Sequence, residues 1–178
     1  LYIKYYKPVG VTTTSESHVP RNIIAEIGHP ERIFPIGRLD KDSSGLILLT
    51  NDGDIVNEIL RTERGHEREY EVSVDHPFDQ TFIDRMTQGV VILDRPTKPC
   101  MIERLGPARF RITLTEGRNR QIRRMCQVLG YRVLTLHRVR IIHITLDGLV
   151  SGQWKPLTGV EREQLFLAVR RGSNQGAT

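Results

Sequence analysis

Three short segments hold the side chains most capable of chemistry. In the first, Gly37–Leu46 (GRLDKDSSGL), Asp40 sits in a polar loop two residues after Arg38. A carboxylate is ionised at neutral pH, and a neighbouring cation keeps it so even in a desolvated pocket. The same composition also builds an ordinary turn, because Asp, Ser and Gly are common loop residues. The second segment, Glu116–Cys126 (EGRNRQIRRMC), carries Arg118, Arg120, Arg123 and Arg124 and no lysine. The planar guanidinium fork suits phosphate, or a buried carboxylate, better than a lysine ammonium does. An amphipathic helix showing arginines to water has the same pattern. In the third, Arg68-Glu69-Tyr70, a tyrosine opens an alternating strand. Such a tyrosine most often packs in the core with its hydroxyl at the edge. The six histidines show neither HxxxH nor HExxH spacing, and no GxGxxG or GxxxxGK[ST] run occurs. No metal, histidine base or nucleotide cofactor is therefore assigned.

These segments need elements to position them. Tyr2–Lys7 reads as a strand ended by Pro8 and Gly10, and Pro20–Ile27 as a short helix with proline in its first turn. Arg32–Thr50 has apolar ends around a polar centre, which predicts strand, Asp40 loop, strand. Asn51 or Asp52 can cap a helix with Ile55, Val56, Ile59 and Leu60 on one stripe, and Glu69–Val74 alternates as a strand. Asp79 caps Gln80–Gln88, where Phe82, Ile83 and Met86 face inward and Gly89 stops the helix. Ala108–Thr115 is a half-buried strand. Asn119 is expected to cap a helix over Arg120–Leu129, with Ile122, Met125 and Cys126 buried and Arg120, Arg123 and Arg124 on the polar stripe. Tyr131–Leu146 supplies one or two further strands, and Thr158 opens a last helix. Strands with intervening helices, without strict βαβ alternation, predict an α+β fold with a mixed, mainly antiparallel sheet.

Length and composition set the outer bounds. A chain of 178 residues is one domain by size, large enough to bury a core unaided. With 38% hydrophobic and 26% charged residues, collagen-like, low-complexity and wholly disordered readings fail. No apolar run approaches the roughly 18 residues that span a bilayer, so no membrane partner is expected. Cys100 and Cys126 form neither a disulfide framework nor a metal motif, which predicts a reducing cytoplasm. The formal charge is only +5, yet twelve Lys and Arg against two acids lie between Arg95 and Arg140. A concentrated cationic excess is the footprint of phosphate binding, although a solvated basic face has the same count. Residues 1–171 are expected to form the domain and residues 172–178 a tail too poor in apolar matter to order itself. The first residue is Leu, and a further N-terminal module is expected in a longer protein.

Taken in order, the three segments resemble the pseudouridine synthases, specifically the RsuA, RluB, RluE and RluF group. GRLDKDSSGLILLTNDG is similar to that family's first motif, REYEV to its second and EGRNRQIRRM to its third. Leu136–Leu149 with Gly152–Leu157 (GQWKPL) is similar to its closing pattern, and FPIGRLDKDS with GRNRQIRRMC is most like the RluF branch. The resemblance implies the catalytic fold of that family, with helices flanking the sheet and an active-site cleft. It implies isomerisation of one uridine in a 23S ribosomal RNA stem-loop, without a cofactor. Asp40 would be the nucleophile, Tyr70 would stack on the flipped uracil and Arg123 would pair with the Asp40 carboxylate. Arg38 would hold the nucleotide out of the RNA stack. Arg118, Arg120, Ile122 and Arg124 complete the expected substrate contacts. Removing Arg123 would then strand a buried charge, at about 3–5 kcal/mol. Members of the group usually begin with an S4-type RNA-binding domain and carry lysine where this chain has Arg68. A monomer suits an enzyme that docks on a large RNA. A sister synthase for 16S or another 23S uridine, and a non-catalytic RNA-binding module, are the competing readings.

Overall fold

The structure, a computed structural model, describes residues 1–62 and 65–176. Its strands are β1 (Tyr2–Lys7), β2 (Phe34–Ile36), β3 (Ser44–Thr50), β4 (Arg68–Val74), β5 (Val91–Ile92) and β6 (Arg95–Pro96), followed by β7 (Met101–Gly106), β8 (Arg109–Leu114), β9 (Val133–Ile141), β10 (Ile144–Thr145) and β11 (Trp154–Pro156). The helices are α1 (Ile23–Ile27), α2 (Gly53–Thr62), α3 (Gln80–Gln88), α4 (Gln121–Val128) and α5 (Gly159–Gly176). One sheet runs in the order β11-β1-β3-β9-β4-β8-β7, with β2 beside β3 and β10 beside β9, while β5 and β6 form a separate hairpin. All pairings are antiparallel except β3 with β9. The expected α+β architecture with a mainly antiparallel sheet is thus the observed one.

Alternation explains which faces are buried. Val72 and Val74 of β4 meet Phe110, Ile112 and Leu114 of β8, and α3 and α4 close this core with Phe82, Met86, Ile122, Met125 and Cys126. A second core joins β1 and β3 to α1, and a third lies under α2 and α5. Burial pushes the thiols of Cys100 and Cys126 up to about 12, as apolar surroundings disfavour the thiolate.

The β3–β9 contact is the seam that matters for function. It is short, pairing only Ser44 with His137 and Gly45 with Arg138. Gly45 has φ +116°, and a Cβ there would lie 2.1 Å from the Arg138 carbonyl oxygen. Only glycine permits that approach. Arg138 is in turn the register partner of Tyr70 on β4, beside a bulge between Glu69 and Tyr70. Two strand contacts therefore bring the loop before β3 and the start of β4 to one place.

Several boundaries differ from the expectation. Helix α1 starts after Asn22, whose side chain accepts from the Ala25 N–H, so Pro20 lies outside it. Asn119 does not cap α4. Arg120 occupies the cap position in the left-handed region (φ 48°) with no side-chain cap, and the helix ends at Val128. The Asn119 side chain instead accepts from Arg124 at 2.9 Å. The span from 90 to 107 carries no sequence assignment, yet it holds β5, β6 and β7. The first two are two residues long, and β7 is an edge strand without regular alternation of burial. Helix α5 opens as expected with Thr158 and Glu161 capping one another, at 3.1 and 2.9 Å. Its backbone continues to Gly176, past the residue-172 boundary set for a tail, and residues 177 and 178 lie outside the described residues.

Candidate active site

A cavity of about 380 Å³ opens where the β3, β4 and α4 segments meet. Asp40 and Arg38 come from the loop before β3, Tyr70 from β4, Arg118 and Arg120 from the turn before α4, and Ile122 from the first turn of α4. Arg68, Leu114, Leu136 and Arg138 complete the walls that matter here. Six of the eight expected residues are thus brought together; Arg123 and Arg124 are not among the lining.

The Asp40 loop is held from below by Lys7, Thr13 and Arg138, none of them among the expected site residues. Lys7 is fully buried and its ammonium donates to the carbonyls of Val11 and Pro8, at 2.8 and 3.0 Å, with Lys41 O at 3.5 Å. Burial pulls Lys7 down to about 8. Thr13 Oγ1 donates to Leu39 O at 2.9 Å, while the Asp40 carbonyl accepts from the Ser43 N–H at 3.0 Å and closes the turn. Arg138, also buried, donates from Nε to Leu46 O at 2.8 Å and from Nη1 to Arg38 O at 3.4 Å. The signal for Arg138 lies in the Leu136–Leu149 stretch and that for Lys7 in the strand end before Pro8, but neither residue type announces burial.

The arginines divide their work differently from the expected pattern. Arg120, not Arg123, meets the Asp40 carboxylate, at 3.4 Å from Oδ2. Arg120 also grips Asp42 with two hydrogen bonds of 3.1 and 2.9 Å. That hydrogen bonding lowers Asp42 from the ordinary carboxylate range and raises Arg120. Arg123 is more deeply buried and donates to Asp42 O and Ser43 Oγ, both at 3.0 Å, with Asp42 Oδ1 at 3.4 Å. Its position in the first turn of α4 brings it to the base of the loop, and burial pulls its guanidinium down. The expected Arg123–Asp40 pair is replaced by Arg120–Asp40 because Arg120, in the left-handed cap position, projects from the helix mouth.

Arg118 and Arg124 are engaged with the protein itself. Arg118 donates to the carbonyls of Ile92, Arg95 and Pro96, at 2.5, 3.1 and 3.3 Å, and so clamps the β5–β6 hairpin to the cavity wall. Its N–H donates to Gln121 Oε1, whose amide reaches Glu116 at 2.9 Å. Arg124 turns back on Asn119, at 3.0 Å to the carbonyl and 2.9 Å to the side-chain oxygen. By contrast, the Arg38 side chain makes no hydrogen bond or ion pair among the described residues and lines the cavity. Gly117 lets the Arg68 guanidinium lie close to the backbone, 2.9 Å from where a Cβ would stand.

Chemically, the cavity pairs a reachable carboxylate with an aromatic wall and a cationic rim. Asp40 keeps one 3.4 Å ion pair and lines the space; Asp42 is locked between two arginines and does not. Tyr70 is half-buried, packed against the first core yet open to the cavity. Among the described residues, no three His, Cys, Asp or Glu side chains converge as a metal site requires.

Comparison with known proteins agrees with this geometry. The family model described as RNA pseudouridylate synthase matches residues 1–128. The chain is 49% identical over 169 residues to the dual-specificity RNA pseudouridine synthase RluF of Escherichia coli (strain K12), covering 95% of this chain and 58% of that relative. It is 31% identical over 182 residues to the ribosomal large subunit pseudouridine synthase B of Bacillus subtilis (strain 168), covering 98% of this chain and 75% of that one. A crystal structure of a pseudouridylate synthase superposes with TM-score 0.84 at 32% identity, over 92% of this chain and 73% of the other. The higher identity to RluF agrees with the branch expected from FPIGRLDKDS and GRNRQIRRMC. This chain spans a little over half the length of that relative, 58%. Motifs, fold and matched residues converge, and the chain belongs to the RNA pseudouridylate synthase family.

Proposed function

We propose that this chain isomerises a uridine of 23S ribosomal RNA to pseudouridine, with Asp40 as the nucleophile. The observation that carries the reading is the placement of Asp40, in a chain of this family, at the floor of a cavity walled by Tyr70 and rimmed by Arg38 and Arg120. In this reaction the N1–C1′ bond breaks, the uracil turns in place and C5 bonds to C1′. The proton on C5 leaves, N1 gains one, and no redox change occurs. Attack at C1′, addition at C6 and removal of a sugar proton all begin at the same carboxylate.

Neither C1′ nor the base edge is reachable in a stacked helix, so the nucleotide must flip out, at a few kcal/mol. Tyr70 stacks on the flipped uracil, Ile122 and Leu136 close the apolar side, and the Arg38 guanidinium meets the backbone. Arg120 orients the Asp40 carboxylate through their 3.4 Å ion pair. Arg123 supports the loop through Asp42 and Ser43, and Arg118 and Arg124 act through the backbone they hold.

The chain works as a monomer in the cytoplasm, and an S4-type module N-terminal to it in a longer protein adds RNA affinity. No helix among the described residues is long and apolar enough to cross a membrane. A 23S transcript carrying tritium at uridine C5 tests the proposal. Bond formation expels the tritium into water, so release by the chain and not by Asp40→Ala is the expected result. Release by both would remove Asp40 from the chemistry. Binding without release from either 16S or 23S transcripts would instead leave an RNA-binding module.

A further inference from the structure

The basic window reads as a source of phosphate contacts, but most of its cations already have partners within the protein. Nine of its twelve Lys and Arg side chains hold a carbonyl, an amide oxygen or a carboxylate: Arg104, Arg109, Arg111, Arg118, Arg120, Arg123, Arg124, Arg138 and Arg140. Only Arg95, Lys98 and Arg132 have side chains with no hydrogen bond or ion pair among the described residues.

Two of those three face the same space. A second cavity, of about 500 Å³, adjoins the first and shares Arg68, Glu116, Gly117 and Arg118 with it. Arg95, Pro96 and Lys98 form its outer wall. Its one acid, Glu116, is occupied: Oε1 accepts from the Lys98 N–H at 2.8 Å and from Gln121 Nε2 at 2.9 Å. Among the described residues of its lining, four cations stand against one carboxylate, which favours an anion by charge.

The outer wall is held in place. The Arg118 fork fixes three carbonyls of the β5–β6 hairpin. The hairpin turns through Leu93 and Asp94, both with positive φ, at 49° and 64°. A two-residue hairpin loop of this kind requires positive φ at both positions, and the Leu93 side chain is 56% exposed at the tip.

We propose that this second cavity receives the sugar-phosphate of the nucleotide next to the flipped uridine, with Arg95 and Lys98 as its anion contacts. The inference rests on the RNA reading given above, because continuity with the uridine cavity selects a polynucleotide over a free anion. Each phosphate neutralised by the protein releases counterions, which shows in the salt dependence of binding.

The test uses binding, not turnover. The Asp40→Ala chain is titrated against fluorescein-labelled 23S rRNA stem-loops over a range of salt concentrations, alone and with Arg95→Gln/Lys98→Gln added. The expected result is a shallower plot of log K against log salt in the added pair, by about 0.7 to 0.9 for each phosphate no longer neutralised. A control pair, Arg85→Gln/Arg170→Gln, removes the same charge from side chains that line neither cavity, and its slope should match the parent's. Equal slopes for parent and Arg95/Lys98 variant overturn the proposal, as does an equal decrease in the control, which would be a net-charge effect. If the parent itself shows no salt dependence, the RNA reading falls with it, and that outcome is distinguishable from the other two. Circular dichroism melting of each variant separates weakened phosphate binding from unfolding.

Discussion

The Asp40 loop and the β5–β6 hairpin are both rich in arginine contacts, but their cations point in opposite directions. Around the loop, Lys7, Arg120, Arg123 and Arg138 turn inward onto carbonyls and carboxylates. At the hairpin, Arg118 clamps the base from inside, while the side chains of Arg95 and the nearby Lys98 have no hydrogen bond or ion pair among the described residues. A count of charges treats these regions alike. The contacts show one set of cations holding the Asp40 loop and, at the hairpin, two with no side-chain partner among the described residues, so partnering, and not density, is what sets the two regions apart.

The largest effect expected concerns the loop's purpose. Asp40→Ala should lower pseudouridine formation by ~10⁴-fold or more, as removal of a nucleophile does elsewhere, while RNA binding persists. Tritium release and a binding isotherm check both halves, and near wild-type turnover would reduce the inward cations to mere scaffolding.

Gly45→Ala strikes the seam that brings loop and Tyr70 together. Positive φ adds strain and the Cβ meets backbone that cannot yield, so the expected loss is about 3 kcal/mol or more in urea denaturation. A decrease below about 1 kcal/mol would mean that the β3–β9 contact is not what sets the site.

Lys7 offers a titration of an inward cation. Its folded value of about 8 lies below the ordinary 10.5, so between those pH values the unfolded chain binds more protons and stability rises with pH. Below about 8 both states are protonated and the penalty is full and constant. The gap corresponds to about 3 kcal/mol. Lys7→Met lacks the slope, so the stability difference between wild type and variant should move in favour of wild type across that window. Parallel curves would show that Lys7 is not desolvated.

Arg123→Ala and Arg95→Ala compare the two regions directly. Removing the Arg123 side chain leaves Ser43 and the Asp42 carbonyl without their donor, at about 1–3 kcal/mol. This is less than the roughly 3–5 kcal/mol expected for a stranded buried charge, because Asp42 is half exposed and keeps Arg120. Arg95→Ala should change stability by no more than about 0.5 kcal/mol, as an exposed side chain without partners among the described residues. Equal costs in thermal melts would erase the distinction between the regions.

Much of this protein is readable along the chain. Alternation in β4 and β8, the Asp79 and Thr158 caps, and the strand–loop–strand around Asp40 follow from local spacing and the chemistry of cap residues, which act within a few residues. The four motifs, in order, likewise determined the family and singled out Asp40 and Tyr70. Partnering was decided only by the tertiary structure. Arg120 and Arg123 are three residues apart on one helix mouth, and which of them meets Asp40 depends on a left-handed backbone at Arg120 and on where the β3 loop lands. Lys7 and Arg138 are of residue types seldom buried, yet both are buried with backbone carbonyls, some from distant segments, as their acceptors. The short hairpin at 91–96 has too few residues for periodicity to reveal, and its place beside the site depends on Arg118 reaching back more than twenty residues. Spacing along the chain determined the elements and the reactive residue types. Hydrogen bonds between segments far apart in sequence determined which charges hold the fold, since no local rule sets the distance between two such segments.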